Sequence, residues 1–364
     1  MKHTDSISSI QLAIIIASTI IGVSLLVLPR FVVAEVGEAA ILACIVGLFI
    51  SFMSVFSIMQ LGKKYRHHTM IGCNRLLLGK YVGNFFNFLI LIVTIIIMGL
   101  DLRQFAEVLA SGLLPNTPIE VSILLMIILC ALVGYRNVST FAYIHVFYLP
   151  FLLIPMVFFI FAYEDIEAYH LLPILGHQLS LKQFMSGAIV MTCAITNYFV
   201  IAMLIPYIKD YENSLKNSIW GFFLGGLAIL YTIIICLGVF GVNEMEDMYW
   251  PVLSLSRIIQ IPGDVLSRID AIILITWIFA VFTTLCSYFF VIVRGTAELF
   301  RTDHYGFIST LMIPIVFIIA LIPNNVYEIY NYAIKVSYIG LFLFIILPAG
   351  LFIIGRIRNK VGVR

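Results

Sequence analysis

Residues 11–33, QLAIIIASTIIGVSLLVLPRFVV, decide how this chain is to be read. As a helix the run is long enough to cross a hydrocarbon core of about 30 Å, which takes some 20 apolar residues. Its middle, Ile21-Gly22-Val23-Ser24, interrupts the apolar pattern, and Leu28-Pro29-Arg30 closes it. A helix in lipid satisfies its own backbone hydrogen bonds, so a break at mid-depth is tolerable only where protein, water or a bound molecule replaces the missing partners. Two readings remain: a broken helix that holds a ligand, or a glycine packed closely at a helix crossing.

The rest of the chain fits a membrane setting. Of its 364 residues 62% are hydrophobic and 11% charged, against the charged fraction of about 25% usual for a soluble domain, and the mean hydropathy is +1.10. This is the composition of a polytopic membrane protein. The start, MKHTDSISSI, has little positive charge and no small-residue cleavage site, and the apolar run behind it exceeds a signal-peptide core, so the first helix is expected to remain. Six cysteines, at 44, 73, 130, 193, 236 and 286, show no CxxC or metal spacing, and are expected to be packing residues. With a net charge of +2 and basic residues confined to loop positions, no nucleic-acid surface is expected. No nucleophile, metal cluster or acid/base pair is apparent, so neither an enzyme nor a cofactor or metal is expected.

Segments of spanning length recur at about 11–33, 39–61, 83–112, 119–135, 139–162, 184–208, 217–242, 269–298, 307–323 and 333–355. Ten helices are therefore expected, in one integral membrane domain covering residues 1–364. Lys63, Lys64, Arg66, Arg75, Lys80, Arg136, Lys209, Lys216, Arg294, Arg301 and the tail Arg356, Arg358, Lys360 and Arg364 all fall at one set of ends. The positive-inside bias then predicts that both termini are cytoplasmic. The cytoplasmic stretch Gly62–Gly83 mixes basic residues with Leu and Met and is expected to lie along the membrane surface. The outer stretch Asn243–Arg268, with Tyr249-Trp250-Pro251 followed by apolar residues at helical spacing, reads as an interfacial helix.

Ten spans divide into helices 1–5, about 11–162, and helices 6–10, about 184–355. An odd number per half gives the halves opposite orientations, an inverted 5+5 repeat. Helix six, Ser186–Lys209, is small and polar at Cys193-Ala194-Ile195-Thr196-Asn197, with Pro206 following as Pro29 follows in helix one. Helices one and six are therefore expected to be broken.

A break exposes N–H groups at the start of one half-helix and carbonyls at the end of the other, giving partial charges of both signs. That suits a zwitterion such as an α-amino acid, its carboxylate on the N–H groups near Val23 and Ser24 and its ammonium on carbonyls near Thr19–Ile21 and at the helix-six break. Gly22 leaves room for the ligand's approach. Thr284 and Tyr288 of helix eight are four residues apart on one face; with Thr283 and Ser287 they either contact ligand or a sodium ion, or bond back to their own helix. In helix three Asp101, Arg103 and Glu107 are candidates because ionisable residues within a span are functional by default, although Asp101 or Glu107 is equally able to pair with Arg103. Met98 lies one turn deeper, and His145 in helix five is either a proton site or hydrogen-bonded structure.

The segment IIGVSLLVLPR at 20–30, the basic amphipathic loop after helix two, and IPYIKD at 205–210 resemble the B subunits of spore germinant receptors, the GerAB-like branch of the amino acid–polyamine–organocation superfamily. The resemblance covers the whole chain and implies a LeuT-like fold. It further implies an amino acid or similar small nutrient bound at the membrane midplane, and a receptor A subunit and C lipoprotein as partners in the inner membrane of the bacterial spore. On this resemblance ligand-binding positions fall at Gly22, Met98, Thr196, Thr284 and Tyr288, beside Val23, Ser24 and Asn197 at the two breaks. A proton- or sodium-coupled amino acid permease is the alternative function, since sensor and permease need the same pocket.

Overall fold

The computed structural model describes residues 5–176, 180–259 and 268–360, without the side chains of 358–360. The tail charges Arg358, Lys360 and Arg364, and residues 260–267 of the expected outer interfacial segment, lie outside what it describes.

The chain is nearly all helical. Helix α1 (Ser9–Ile20) starts in a capping box, in which the Ser8 hydroxyl accepts from the Gln11 N–H at 3.2 Å and the Gln11 side chain accepts from the Ser8 N–H at 2.9 Å. It stops because Ile21 and Gly22 leave helical geometry. A 3-10 turn, Val23–Leu26, leads into α2 (Leu28–Val36), where Pro29 occupies the first turn and so removes no helical hydrogen bond. Gly37, at φ +57, then separates α2 from α3 (Ala40–Lys64). Next come α4 (Met70–Leu78), α5 (Lys80–Gly112), α6 (Ile119–Gly134) and α7 (Val138–Phe158), the last continued by a 3-10 turn to Asp165. The carboxylate of Asp5 caps α7 from a distance in sequence, accepting from the Val138 and Ser139 N–H groups at 2.7 and 2.9 Å.

The second half begins with α8 (Leu181–Ala194), again started by a capping box, Ser180 with Gln183. It gives way to a 3-10 turn at Thr196–Val200, the short α9 (Ile201–Leu204) and a further turn ending at Tyr207, with a 45° bend between the two parts. Helix α10 (Tyr211–Asp247) is interrupted at Gly241, φ +69, close to the expected end at 242. Then follow α11 (Pro251–Ile258), α12 (Ile269–Phe300), α13 (Tyr305–Leu321), α14 (Val326–Leu341) and, after a π-helical stretch, α15 (Leu347–Lys360).

Among the described residues six helical runs are long and apolar enough to cross a membrane: Leu28–Lys64, Lys80–Gly112, Val138–Asp165, Tyr211–Asp247, Ile269–Phe300 and Val326–Ile357. The bent pair Leu181–Tyr207 passes the same test jointly, while Ser9–Ile20, Ile119–Gly134 and Tyr305–Leu321 are apolar but shorter. Helix α1 packs on α10 and α7, and α12 on α5, α6 and α7. Trp277, Tyr198, Phe141, Phe222 and Phe289 are fully buried between them. Large apolar side chains such as Phe49, Leu125, Phe147, Trp220 and Ile318 stand exposed on the outside. So much exposed apolar surface marks a membrane interaction, and the protein is an integral membrane protein.

Two surface expectations are refined. Helix α4 is amphipathic, but Met70, Ile71, Cys73 and Leu77 are buried, and it packs on α5 rather than resting on lipid alone. The outer segment is helical over Pro251–Ile258, with Val252, Leu253 and Leu255 buried.

Candidate ligand-binding site

The interruption of the first helix exposes two kinds of backbone group, and the protein treats them differently. The carbonyls ending α1 are already taken. Thr19 O accepts from the Thr284 hydroxyl at 3.1 Å and from the Asn197 amide at 3.1 Å, and the Thr283 hydroxyl approaches Ser18 O at 3.4 Å. Asn197 in turn accepts from the Tyr288 hydroxyl at 2.5 Å. The two breaks and α12 are thus tied together by side chains. Gly22 lies directly under Thr284: a Cβ there would be 2.1 Å from Thr284 Oγ1.

The N–H side is open. Val23 and Ser24 begin the 3-10 turn, so their amides have no acceptor within it. The Ser24 hydroxyl is buried without a hydrogen-bond partner. Both residues line a cavity of about 200 Å³, small beside the roughly 300–1,000 Å³ typical of small-molecule sites. Thr196 and Asn197 line it from the second break, Tyr288 from α12, Tyr330 and Ser337 from α14, and Ile97, Asp101 and Gln104 from α5.

Of the positions expected from sequence, Val23, Ser24, Thr196, Asn197 and Tyr288 are brought to this cavity. Gly22 and Thr284 stand behind them, in contact with each other. Met98 is fully buried, while its neighbour Ile97 reaches the cavity. Thr284 bonds across to α1 rather than back to its own helix, whereas Thr283 and Ser287 bond back to Ala280 O at 2.9 Å and Thr283 O at 3.1 Å. His145 is held between the Ser18 hydroxyl, 2.6 Å from Nδ1, and the Ser287 hydroxyl, 3.3 Å from Nε2. It therefore joins three helices as hydrogen-bonded structure.

The charged trio of α5 separates by helical phase. Arg103 and Glu107 are four residues apart and pair at 2.8 Å, and Arg103 also donates to Asn324 O at 3.2 Å. Asp101, two residues from Arg103, faces away from it into the cavity. Of the two partners expected for Arg103, Glu107 is the one that pairs with it. Asp101 was a candidate without a place at the site, and Gln104 and Glu35 are cavity residues that the sequence reading did not single out. A 3.6-residue phase applied to α5 from Ile97 would have put Asp101 and Gln104 on one face.

Away from the cavity, the segment before α1 is bolted to the loop after Tyr207. The Ile7 N–H donates to Tyr207 O at 2.8 Å and the Lys209 N–H to Ile7 O at 2.9 Å. The Asp210 carboxylate accepts from the Ser9 N–H at 2.6 Å and from the Ser9 hydroxyl, and Asn217 donates to that hydroxyl at 2.6 Å. Desolvation alone would raise the Asp210 pKa; the hydrogen bonds from Ser9 outweigh it and hold the carboxyl below its ordinary value.

Comparison with known proteins adds the following. A family model described as spore germination protein matches residues 6–329. Spore germination protein B2 of Bacillus subtilis (strain 168) is 24% identical over 99% of this chain and 98% of its own length. Spore germination protein A2 of the same organism is 26% identical over 95% of this chain and 94% of its own. Among solved structures, Mhp1, a nucleobase-cation-symport-1 family transporter in a closed conformation with bromovinylhydantoin bound, covers 92% of this chain and 78% of its own at a TM-score of 0.66 and 12% identity. That likeness concerns the fold alone, and it is to a LeuT-fold transporter.

Proposed function

The chain belongs to the spore germination protein family, and from that premise we propose that it is the nutrient-sensing B subunit of a germinant receptor in the spore's inner membrane. It binds a small nutrient, an amino acid or similar molecule, at the membrane midplane, and triggers germination through an A subunit and a C lipoprotein. In this reading the three shorter helices and the bent pair complete ten crossings in a single domain, arranged as an inverted 5+5 repeat with both termini cytoplasmic. One observation supports it: the two helix interruptions meet at one small cavity lined by Val23 and Ser24, whose amides have no acceptor within their 3-10 turn.

The ligand's carboxylate sits on the Val23 and Ser24 N–H groups, where backbone dipoles favour negative charge, with Thr196, Asn197 and Tyr288 beside it. Gly22, Met98 and Thr284 shape the pocket from behind. The test is germination of spores whose only receptor contains this chain, exposed to single amino acids, sugars and salts. A response to a few small nutrients, lost when the A subunit or the lipoprotein is deleted, is expected. Uptake of the same nutrient into vesicles driven by a proton or sodium gradient, with no germination response, would overturn the sensor reading in favour of a permease.

A further inference from the structure

We propose that Asp101 is the anchor for a cationic group of the ligand, so that the cavity selects protonated amines, free or within a zwitterion, over neutral and anionic compounds. This rests on the cavity being the ligand site. Asp101 makes no hydrogen bond or ion pair among the described residues, yet it lines the cavity from a membrane-spanning helix. Arg103, the nearest base in sequence, is engaged by Glu107 and Asn324 O. Among the described residues no Lys, Arg or His lines the cavity, whereas Asp101 and Glu35 both do.

A carboxylate held away from water without a partner is costly, and an ammonium group in the cavity supplies the missing counter-charge. The cavity is polar beyond Asp101. Gln104, one turn on from Asp101 and 6% exposed, lines it with its Nε2 unpartnered, a donor suited to an acceptor on the same ligand such as the carboxylate of a zwitterion. The Ser24 hydroxyl is likewise unpartnered. Three polar groups without protein partners therefore surround one space. The carbonyls of α1 are poor alternatives for the amine, because Thr19 O already accepts two hydrogen bonds.

The proposal is tested on the purified full-length protein by thermal stabilisation with the twenty amino acids, glucose and acetate. Each amino acid that stabilises is then compared with its N-acetyl derivative, which lacks the positive charge. At least one free amino acid should stabilise, its N-acetyl form should need about ten times the concentration or more, and Asp101→Asn should weaken the free amino acid by about 10- to 100-fold, the loss of a charged hydrogen bond. Asp101→Glu should retain much of the binding. An N-acetyl form that binds as well as the free one, stabilisation by glucose or acetate alone, or unchanged binding in Asp101→Asn overturns the proposal. Should Asp101→Asn fail to fold, the wild-type comparison of charged and acetylated ligands decides. Gly22→Leu separates the two levels: if it leaves binding intact the cavity itself is not the site, and if it abolishes binding that Asp101→Asn leaves untouched, only the role of Asp101 fails.

Discussion

Tyr288, Asn197 and the Thr19 carbonyl form a relay across the two helix breaks, closed by Thr284 from the same helix as Tyr288. Removing one hydroxyl costs one hydrogen bond, about 1 kcal/mol, or roughly fivefold in affinity. Tyr288→Phe leaves Asn197 Oδ1 without its donor at the cavity wall, and Thr284→Ala leaves Thr19 O with the Asn197 amide alone. Each should raise the nutrient concentration for half-maximal germination about fivefold at normal protein abundance. If neither shifts it, the relay is purely structural. The relay's members were legible in the sequence because Thr, Asn and Tyr stand out in apolar helices, but their bonds to one another were not. Asp101 was harder to read: adjacency to Arg103 suggests an ion pair in one dimension, and only helical phase sends the two side chains apart.

At the scale of elements, the bolt ties the start of α1 to the loop after Tyr207, at the end of the second broken helix. Because the Asp210 pKa is held below the ordinary aspartate value of about 3.9, its contribution is fully present above that value and is lost as pH falls through the lower folded value. Protection of the Ser9 amide against hydrogen exchange, normalised to the unfolded peptide, should therefore drop below about pH 4, and Asp210→Asn should show weak protection at neutral pH already. Equal protection in wild type and variant would remove Asp210 from the bolt. Lys209 and Lys216 are exposed beside it, where the proposed partner subunits would reach them. Charge reversal at both should uncouple nutrient binding from germination with binding intact; normal germination, or joint loss of binding and assembly, contradicts this route for the signal. The breaks themselves were legible, since Gly22 and the Cys193–Asn197 stretch interrupt membrane-length apolar runs. The bolt was not, because it joins residues some 200 positions apart, partly through backbone groups and partly through Ser9, Asp210 and Asn217, polar residues at helix starts that nothing in the sequence pairs with one another.

For the whole molecule, hydropathy located most helical runs to within a few residues, while α10 and α14 begin earlier than expected, at Tyr211 and Val326, and the Gly241 interruption falls near the expected end of its span. Hydropathy does not show which runs cross a membrane alone: α1, α6 and α13 are shorter than a bilayer-spanning helix and depend on packing and neighbouring turns. In the proposed sensor, a ligand bridging the two breaks would act by binding one arrangement of these elements more tightly than another, since a ligand shifts a conformational equilibrium only through different affinity for its two states. The account stands most directly on the space above Gly22, where any side chain meets Thr284 Oγ1. The decisive measurement is germination of spores whose only receptor carries Gly22→Leu, at matched protein abundance, against the nutrients that trigger the wild type. Loss of the response is predicted; normal sensitivity to the same nutrients would contradict a ligand site at the helix break.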